Sequence, residues 1–339
     1  MASSPPIYNL EQYGTNCSEE YSNFYENSKY WIQCLWLIPT LFLLVWIIIT
    51  TRVRYPSQYS NLPYWILTAD CVVSIILILL DLFVVRLFLY FPGLCSKFST
   101  IFINYPIISD IYFPIYNYAR VFKTGSQCGM ILSRLFCVLI PFGHDEKLRR
   151  HIPLFLTIIC ILFILVVWNT VISEKEVVFW YGGFFVIYHR RVGWVSLSKL
   201  HLTFIFVSIS FILISSLLLM RHLPIESAVN AERRVITNSI FIIVAFFFQA
   251  AFQSFYAFFR YTDWYPRFLV DFQFIIYDVM TVGYPLIFLN FAKEFRNHVF
   301  LKSNRKGRTL MELRSMSKPF NNTMPRQESP SPNYDSILA

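Results

Sequence analysis

"WIQCLWLIPTLFLLVWIIIT", residues Trp31 to Thr50, is twenty residues without a charge. About twenty predominantly apolar residues are what a helix needs to cross a hydrocarbon layer of about 30 Å. The rest of the chain repeats the pattern. Of its 339 residues 56% are hydrophobic and 19% aromatic, and only 14% are charged, which excludes an ordinary soluble domain. Two more runs carry no charge, Ile152–Ile172 and Val235–Phe259. Leu62–Leu80 and Leu269–Phe291 carry only acids (Asp70; Asp271 and Asp278), and Ser196–Met220 carries Lys199 and His201 near one end. A seventh run ends at Phe142, its start blurred by Tyr118, Arg120 and Lys123. The expected fold is an all-α membrane protein, a bundle of seven transmembrane helices.

Lysine and arginine bias in short loops sets orientation. With the N-terminus outside, the inner segments hold fourteen such residues: Arg52 and Arg54; Lys147, Arg149 and Arg150; Arg221, Arg233 and Arg234; and six from Lys293 to Arg308. The outer segments hold eight: Lys29; Arg86 and Lys97; Lys175, Arg190 and Arg191; Arg260 and Arg267. The bias favours the N-terminus outside. Residues 1–30 are then an extracellular segment, 31–291 the bundle, 292–302 a short amphipathic helix on the membrane surface, and 303–339 a disordered cytoplasmic tail rich in Pro, Ser, Asn and Gln. The first 30 residues lack an apolar h-region, so the first span is expected to act as its own insertion signal. The sequon at Asn16 would face outward as a glycosylation site.

The seven cysteines show no metal-binding spacing. Of those on the oxidising side, Cys17 and Cys95 are open to two readings, a bridge or the commoner buried free thiols. No metal, cofactor or nucleic acid is implied. Of six histidines only His201 lies within a span, too few for a zinc-dependent membrane hydrolase. No enzyme is expected.

Arg134, in "GMILSRLFCVLIPF" (Gly129–Phe142), lies about 10 Å before the inner end of the third span at 1.5 Å per residue. There it either snorkels as an anchor or faces the interior and meets a partner at the inner mouth. Asp70 and Asp278 lie deeper in their helices, where an interhelical or functional role is the default expectation.

Three stretches carry a family resemblance. "LSRLFCVLIPFGHDEKLRRHIP" resembles the third-span end and second inner loop of the nematode serpentine receptor class gamma, chemoreceptors of the seven-helix kind. "WNTVISEKEVVFWYGGFFVIYHRRVGWVSLS" is similar to that family's second outer loop, and "YPLIFLNFAKEFRNHVF" to its seventh-span end. Ser133 stands where relatives generally carry asparagine, span six lacks proline, and Tyr284-Pro285 lacks the asparagine of rhodopsin-like receptors. The resemblance implies a receptor in the plasma membrane of sensory cells, binding a small extracellular ligand and signalling through a heterotrimeric G protein. Candidate ligand-facing residues are Tyr116, Asn117, Arg120, Lys123, Lys199, His201, Gln253, Tyr256, Asp271, Gln273 and Tyr277. The cations Arg120, Lys123 and Lys199 suggest an acidic or strongly hydrogen-bonding ligand, although Arg120 and Asp271 also suit a structural ion pair. Arg134, Lys147, Arg149, Arg150, Arg233 and Arg234 would meet the G protein. A ligand-gated channel or small-molecule transporter with seven helices is the alternative.

Overall fold

A computed structural model describes residues 17, 23–60, 62–139, 161, 163–165, 167–180, 182–189, 191–192, 196–222, 225–255, 267–291 and 293–300. Helix α1, Asn23–Ile49, starts eight residues before the apolar run, so part of the expected N-terminal segment is helical. It continues through a π-helical turn, Thr50–Arg54. Helix α2, Leu62–Leu80, does not end where its apolar run ends. A second π-turn, Asp81–Arg86, carries it into α3, Leu87–Tyr90. Arg86 is therefore a fully buried bundle residue and not part of an outer loop. Taking it out of the outer count strengthens the charge bias.

Helix α4, Pro92–Asn104, lies between the second and third spans, with proline at its start where the missing N–H costs nothing. Helix α5, Ile107–Leu139, is 33 residues long, about 50 Å at 1.5 Å per residue. The helix that carries the third span thus starts at Ile107, with Arg120 and Lys123 inside it. The fourth span has helical residues at 161, 163–165 and 167–172. Helices α6, Leu197–His222, and α7, Ile225–Ser254, follow as spans five and six. Span seven is α8, Arg267–Asp278, a π-turn Val279–Gly283, and α9, Tyr284–Phe291. Four helices among the described residues are both long and apolar enough to cross a membrane: 24–54, 62–90, 197–218 and 270–290.

The bundle is helical as expected, and the segment between spans four and five adds a β-hairpin. Strand β1, Glu174–Trp180, pairs antiparallel with β2, Gly183–His189, from Glu174 opposite His189 to Trp180 opposite Gly183. The two-residue connection places Gly182 at φ 84°, a region that glycine enters without steric cost. A Cβ at Gly183 would stand 2.3 Å from the Leu89 carbonyl oxygen, so β2 lies directly on α3. Phe184 stacks on Phe88, ring centroids 5.1 Å apart, and meets Phe102 of α4 at 5.5 Å. Lys175 bridges to Asp110 at the start of α5 over 2.9 Å. A Cys17–Cys95 disulfide ties the N-terminal segment to α4, which decides between the two readings of those cysteines.

At the opposite end, the foot, helix α10 (Lys293–Val299) docks on the bundle. Its buried Phe295 contacts Tyr59, Tyr64 and Phe288, with ring centroids 5.1, 5.8 and 5.5 Å away. His298 Nδ1 lies 2.6 Å from the Tyr59 hydroxyl, and the Trp46 indole N–H donates to the Val299 carbonyl. Phe300 is exposed. Among the described residues of that periodic set, Phe295 and Val299 are therefore buried against protein and Phe300 is left outward.

Candidate functional site

Among the described residues the interior of the bundle holds several polar clusters, each built from facing positions on neighbouring helices. The largest centres on Arg86. Its guanidinium donates to both oxygens of Asp278, Nη1 to Oδ2 at 2.9 Å and Nη2 to Oδ1 at 2.5 Å, the two-pronged geometry suited to arginine and carboxylate. Nη1 also donates to Gln33 Oε1 at 2.9 Å, and the Trp36 indole N–H donates to Asp278 Oδ2 at 2.8 Å. Asp81 stands 3.5 Å from Nη2 and accepts the Tyr116 hydroxyl at 2.5 Å. Tyr116 in turn accepts from Arg120 at 2.5 Å. The Arg120 guanidinium lies over the Tyr116 and Tyr277 rings, 4.2 and 4.1 Å from their centroids. Two cations and two carboxylates thus form one continuous chain across spans one, two, three and seven, which is how charge survives in a low-dielectric interior.

One turn away on α5, Lys123 forms the second cluster. Its ammonium lies 2.6 Å from Asp70 Oδ2 and 2.7 Å from Ser74 Oγ, while Ser126 donates to Asp70 Oδ1 at 2.5 Å. Lys123 and Asp70 are each 1% exposed. Nearer the hairpin end, Asp271 accepts from Lys29 at 2.8 Å and from the Tyr90 hydroxyl at 2.5 Å. The acid available to Arg120 in sequence terms is therefore used by span one, and the Arg120–Asp271 ion pair is not formed.

The third cluster is neutral and joins spans three, five and six. Gln249 Nε2 donates to Thr124 Oγ1 at 3.3 Å and to His201 Nε2 at 3.2 Å, and Thr124 Oγ1 lies 3.3 Å from the same ring nitrogen. One turn along α7, Gln253 Nε2 donates to the Tyr277 hydroxyl at 3.1 Å.

Eight of the eleven candidate ligand-facing residues are buried in or beside these clusters or partnered by them: Tyr116, Asn117, Lys123, His201, Gln253, Gln273 and Tyr277 are buried, and Arg120 is half-buried. Asn117 is spent locally, donating to the Phe113 carbonyl at 2.8 Å. Asp271 is half-buried in its ion pair, Lys199 is exposed on the first turn of α6, and Tyr256 lies outside the described residues. So do Asn16, Lys147, Arg149 and Arg150; Arg134 lies within helix α5, and Arg233 and Arg234 within α7, with their side chains undescribed. Sequence reasoning missed Arg86, Asp81, Thr124 and Gln249. For Gln249 a signal existed, since it stands four residues from Gln253 on one helix face.

A bundle of long apolar helices with a short helix docked at one end and paired charges sealed between spans defines a multi-pass membrane protein of the seven-helix, serpentine kind. The sequence pattern of the Srg family chemoreceptors matches residues 30–299, and the chain belongs to that family. It is 99% identical over 339 residues, the whole of both chains, to serpentine receptor class gamma-7 of Caenorhabditis elegans. It is 32% identical over 286 residues to serpentine receptor class gamma-5 (84% of this chain, 88% of that one) and 30% over 297 residues to class gamma-3 (87% and 89%), both from the same organism.

Proposed function

We propose that the protein is a G protein-coupled chemosensory receptor of the plasma membrane of sensory cells, with its N-terminus and hairpin outside, Asn16 glycosylated and α10 at the cytoplasmic face. A small extracellular ligand binds in the half of the bundle below the hairpin, among spans three, five, six and seven. The observation that carries this reading is the row of polar side chains between those spans, Thr124, His201, Gln249, Gln253 and Tyr277 buried and Arg120 half-buried, in a chain of a chemoreceptor family. A ligand shifts such a bundle only by its differential affinity for two states. The state it favours opens the foot, where Arg134, Lys147, Arg149, Arg150, Arg233 and Arg234 meet the G protein.

The test is a reporter cell exposed to a panel of small metabolites, wild type against Arg134→Ala, with an epitope at Met1 stained on intact cells. Arg134→Ala abolishes the response while surface staining is unchanged. An undiminished response in the mutant reduces Arg134 to an interfacial anchor, and a ligand-gated current without any G protein establishes a channel instead.

A further inference from the structure

The buried and half-buried charged groups described at the candidate site are already matched from within. Arg86 faces Asp278 and Asp81, Lys123 faces Asp70, Lys29 faces Asp271, and Arg120 lies between two tyrosine rings with a hydroxyl at 2.5 Å. An acidic ligand entering here has to displace a partner held in a buried pair, and breaking such a pair is costly. The neutral cluster differs. Thr124 donates its proton to the Arg120 carbonyl at 3.3 Å, so its oxygen accepts from the Gln249 amide, and the His201 Nε2 accepts from the same amide nitrogen. The nitrogen end of Gln249 is therefore committed twice. Its oxygen end, Oε1, is buried and has no donor among the described residues, in a side chain only 1% exposed. A buried acceptor without a donor is a standing free-energy cost, which natural interiors rarely carry without a use. One turn beyond His201 on α6 stands the buried Ile205, and one turn before Gln249 on α7 the buried Ala245, whereas Gln253, one turn after Gln249, is polar and bonded to Tyr277.

We infer that Thr124, His201 and Gln249 form the anchor for a neutral small molecule that presents an O–H or N–H donor to Gln249 Oε1 and an apolar skeleton to Ile205 and Ala245. This rests on the proposed receptor reading for the place of the site, and narrows its ligand from acidic or strongly hydrogen-bonding to neutral and donor-bearing. The donor satisfies the orphan oxygen, and a carboxylate, which brings only acceptors and a charge, does not.

The test labels cysteines placed in the cluster of the full-length protein in cell membranes, and needs no G protein. Gln249→Cys and, should that variant fail to reach the surface, Thr124→Cys are treated with neutral methyl methanethiosulfonate or its anionic sulfonatoethyl analogue. The equally buried but apolar Ile242→Cys and the native thiols Cys71 and Cys128 provide the background. The expected result is modification by the neutral reagent at least roughly tenfold faster at the cluster than at Ile242→Cys, as reactivity follows access. The anionic reagent shows no such preference, and labelling is slowed by 1-hexanol but not by 2-hexanone or hexanoate. A cluster cysteine no faster than Ile242→Cys, protection by hexanoate, or no protection by hexanol overturns the inference. Failure of the receptor reading is seen separately, as silence in the reporter cell while labelling and protection persist.

Discussion

Removing the Lys123 ammonium while leaving Asp70 in place exposes what the buried pair is worth. At 2.6 Å and an effective dielectric of about 20, two unit charges attract by about 6 kcal/mol before desolvation is subtracted. Both side chains are almost fully buried, so solvent screening takes little from that figure. Breaking a buried pair by losing one partner costs about 3–5 kcal/mol. Ser126 still donates to the surviving carboxylate, which places Lys123→Met towards the lower half of that range. At roughly 2–4 °C per kcal/mol, the melting temperature of the detergent-purified protein falls by roughly 10 °C. The double variant Lys123→Met with Asp70→Leu removes both charges and keeps the volume, so it recovers most of the loss. The assay is a thermal melt of the four corners of this cycle, read as the surviving monomer peak. A double variant as unstable as the sum of the singles, or a Lys123→Met melt within about 2 °C of wild type, refutes the account of Lys123 as an internal counter-ion.

Gly183→Ala forces a Cβ to within 2.3 Å of the Leu89 carbonyl, so β2 has to lift from α3 at about 1–3 kcal/mol of overpacking; limited trypsin digestion of the purified protein then cuts at Arg191 sooner than in wild type, and an unchanged digestion rate counts against the close approach. Phe295→Ala removes the aromatic that joins Tyr59, Tyr64 and Phe288, at about 3–5 kcal/mol for a large buried side chain; α10 undocks, and backbone amides of residues 293–299 exchange hydrogen faster, whereas protection equal to wild type shows that α10 is held by something else.

The helices were legible wherever the apolar run was long and unbroken, because hydrocarbon thickness imposes one length on every span. Legibility ended where charge entered. Leu80 closes the apolar run of span two, and Arg86 reads as an outer-segment residue, yet the helix continues and turns Asp81 and Arg86 inward to Tyr116 and Asp278. A hydropathy average cannot distinguish a charge leaving the membrane from a charge matched across it. Asp70 and Asp278 stood out as deep acids, and both carry interhelical pairs. Their partners were not readable, since the rotation of each helix decides which side chains meet. That is also why Arg120 and Asp271 looked like partners and are not. Thr124 and Gln249 went unnoticed because a neutral polar residue perturbs hydropathy too little to stand out, although burial makes its unpaired end costly. The hairpin had a local signal, two β-branched and aromatic runs around Tyr181-Gly182.

The bonds that join the spans are not of equal strength, and the difference bears on how a ligand moves the bundle. Spans one, two, three and seven are tied by charged pairs: Arg86 to Asp278, Lys123 to Asp70, Lys29 to Asp271. Among the described residues, spans five and six are joined to the rest and to each other by neutral polar contacts: Gln249 to Thr124 and His201, Gln253 to Tyr277, and Ser216 to Ser239 at 2.8 Å. A buried charged pair resists separation by about 3–5 kcal/mol, a neutral hydrogen bond by about 1 kcal/mol. Sliding span six against the locked group therefore breaks the cheaper set. On the proposed reading, a ligand held at Gln249 would sit on that boundary, bonded to span six and packed beside the charge-paired helices. A differential affinity of about 3 kcal/mol, equivalent to more than a hundredfold in binding, is enough to redistribute such a bundle between two arrangements of span six. The same energy would not open the charged half. Among the described residues the buried charged pairs thus lie in the part of the bundle that the proposed mechanism requires to stay fixed.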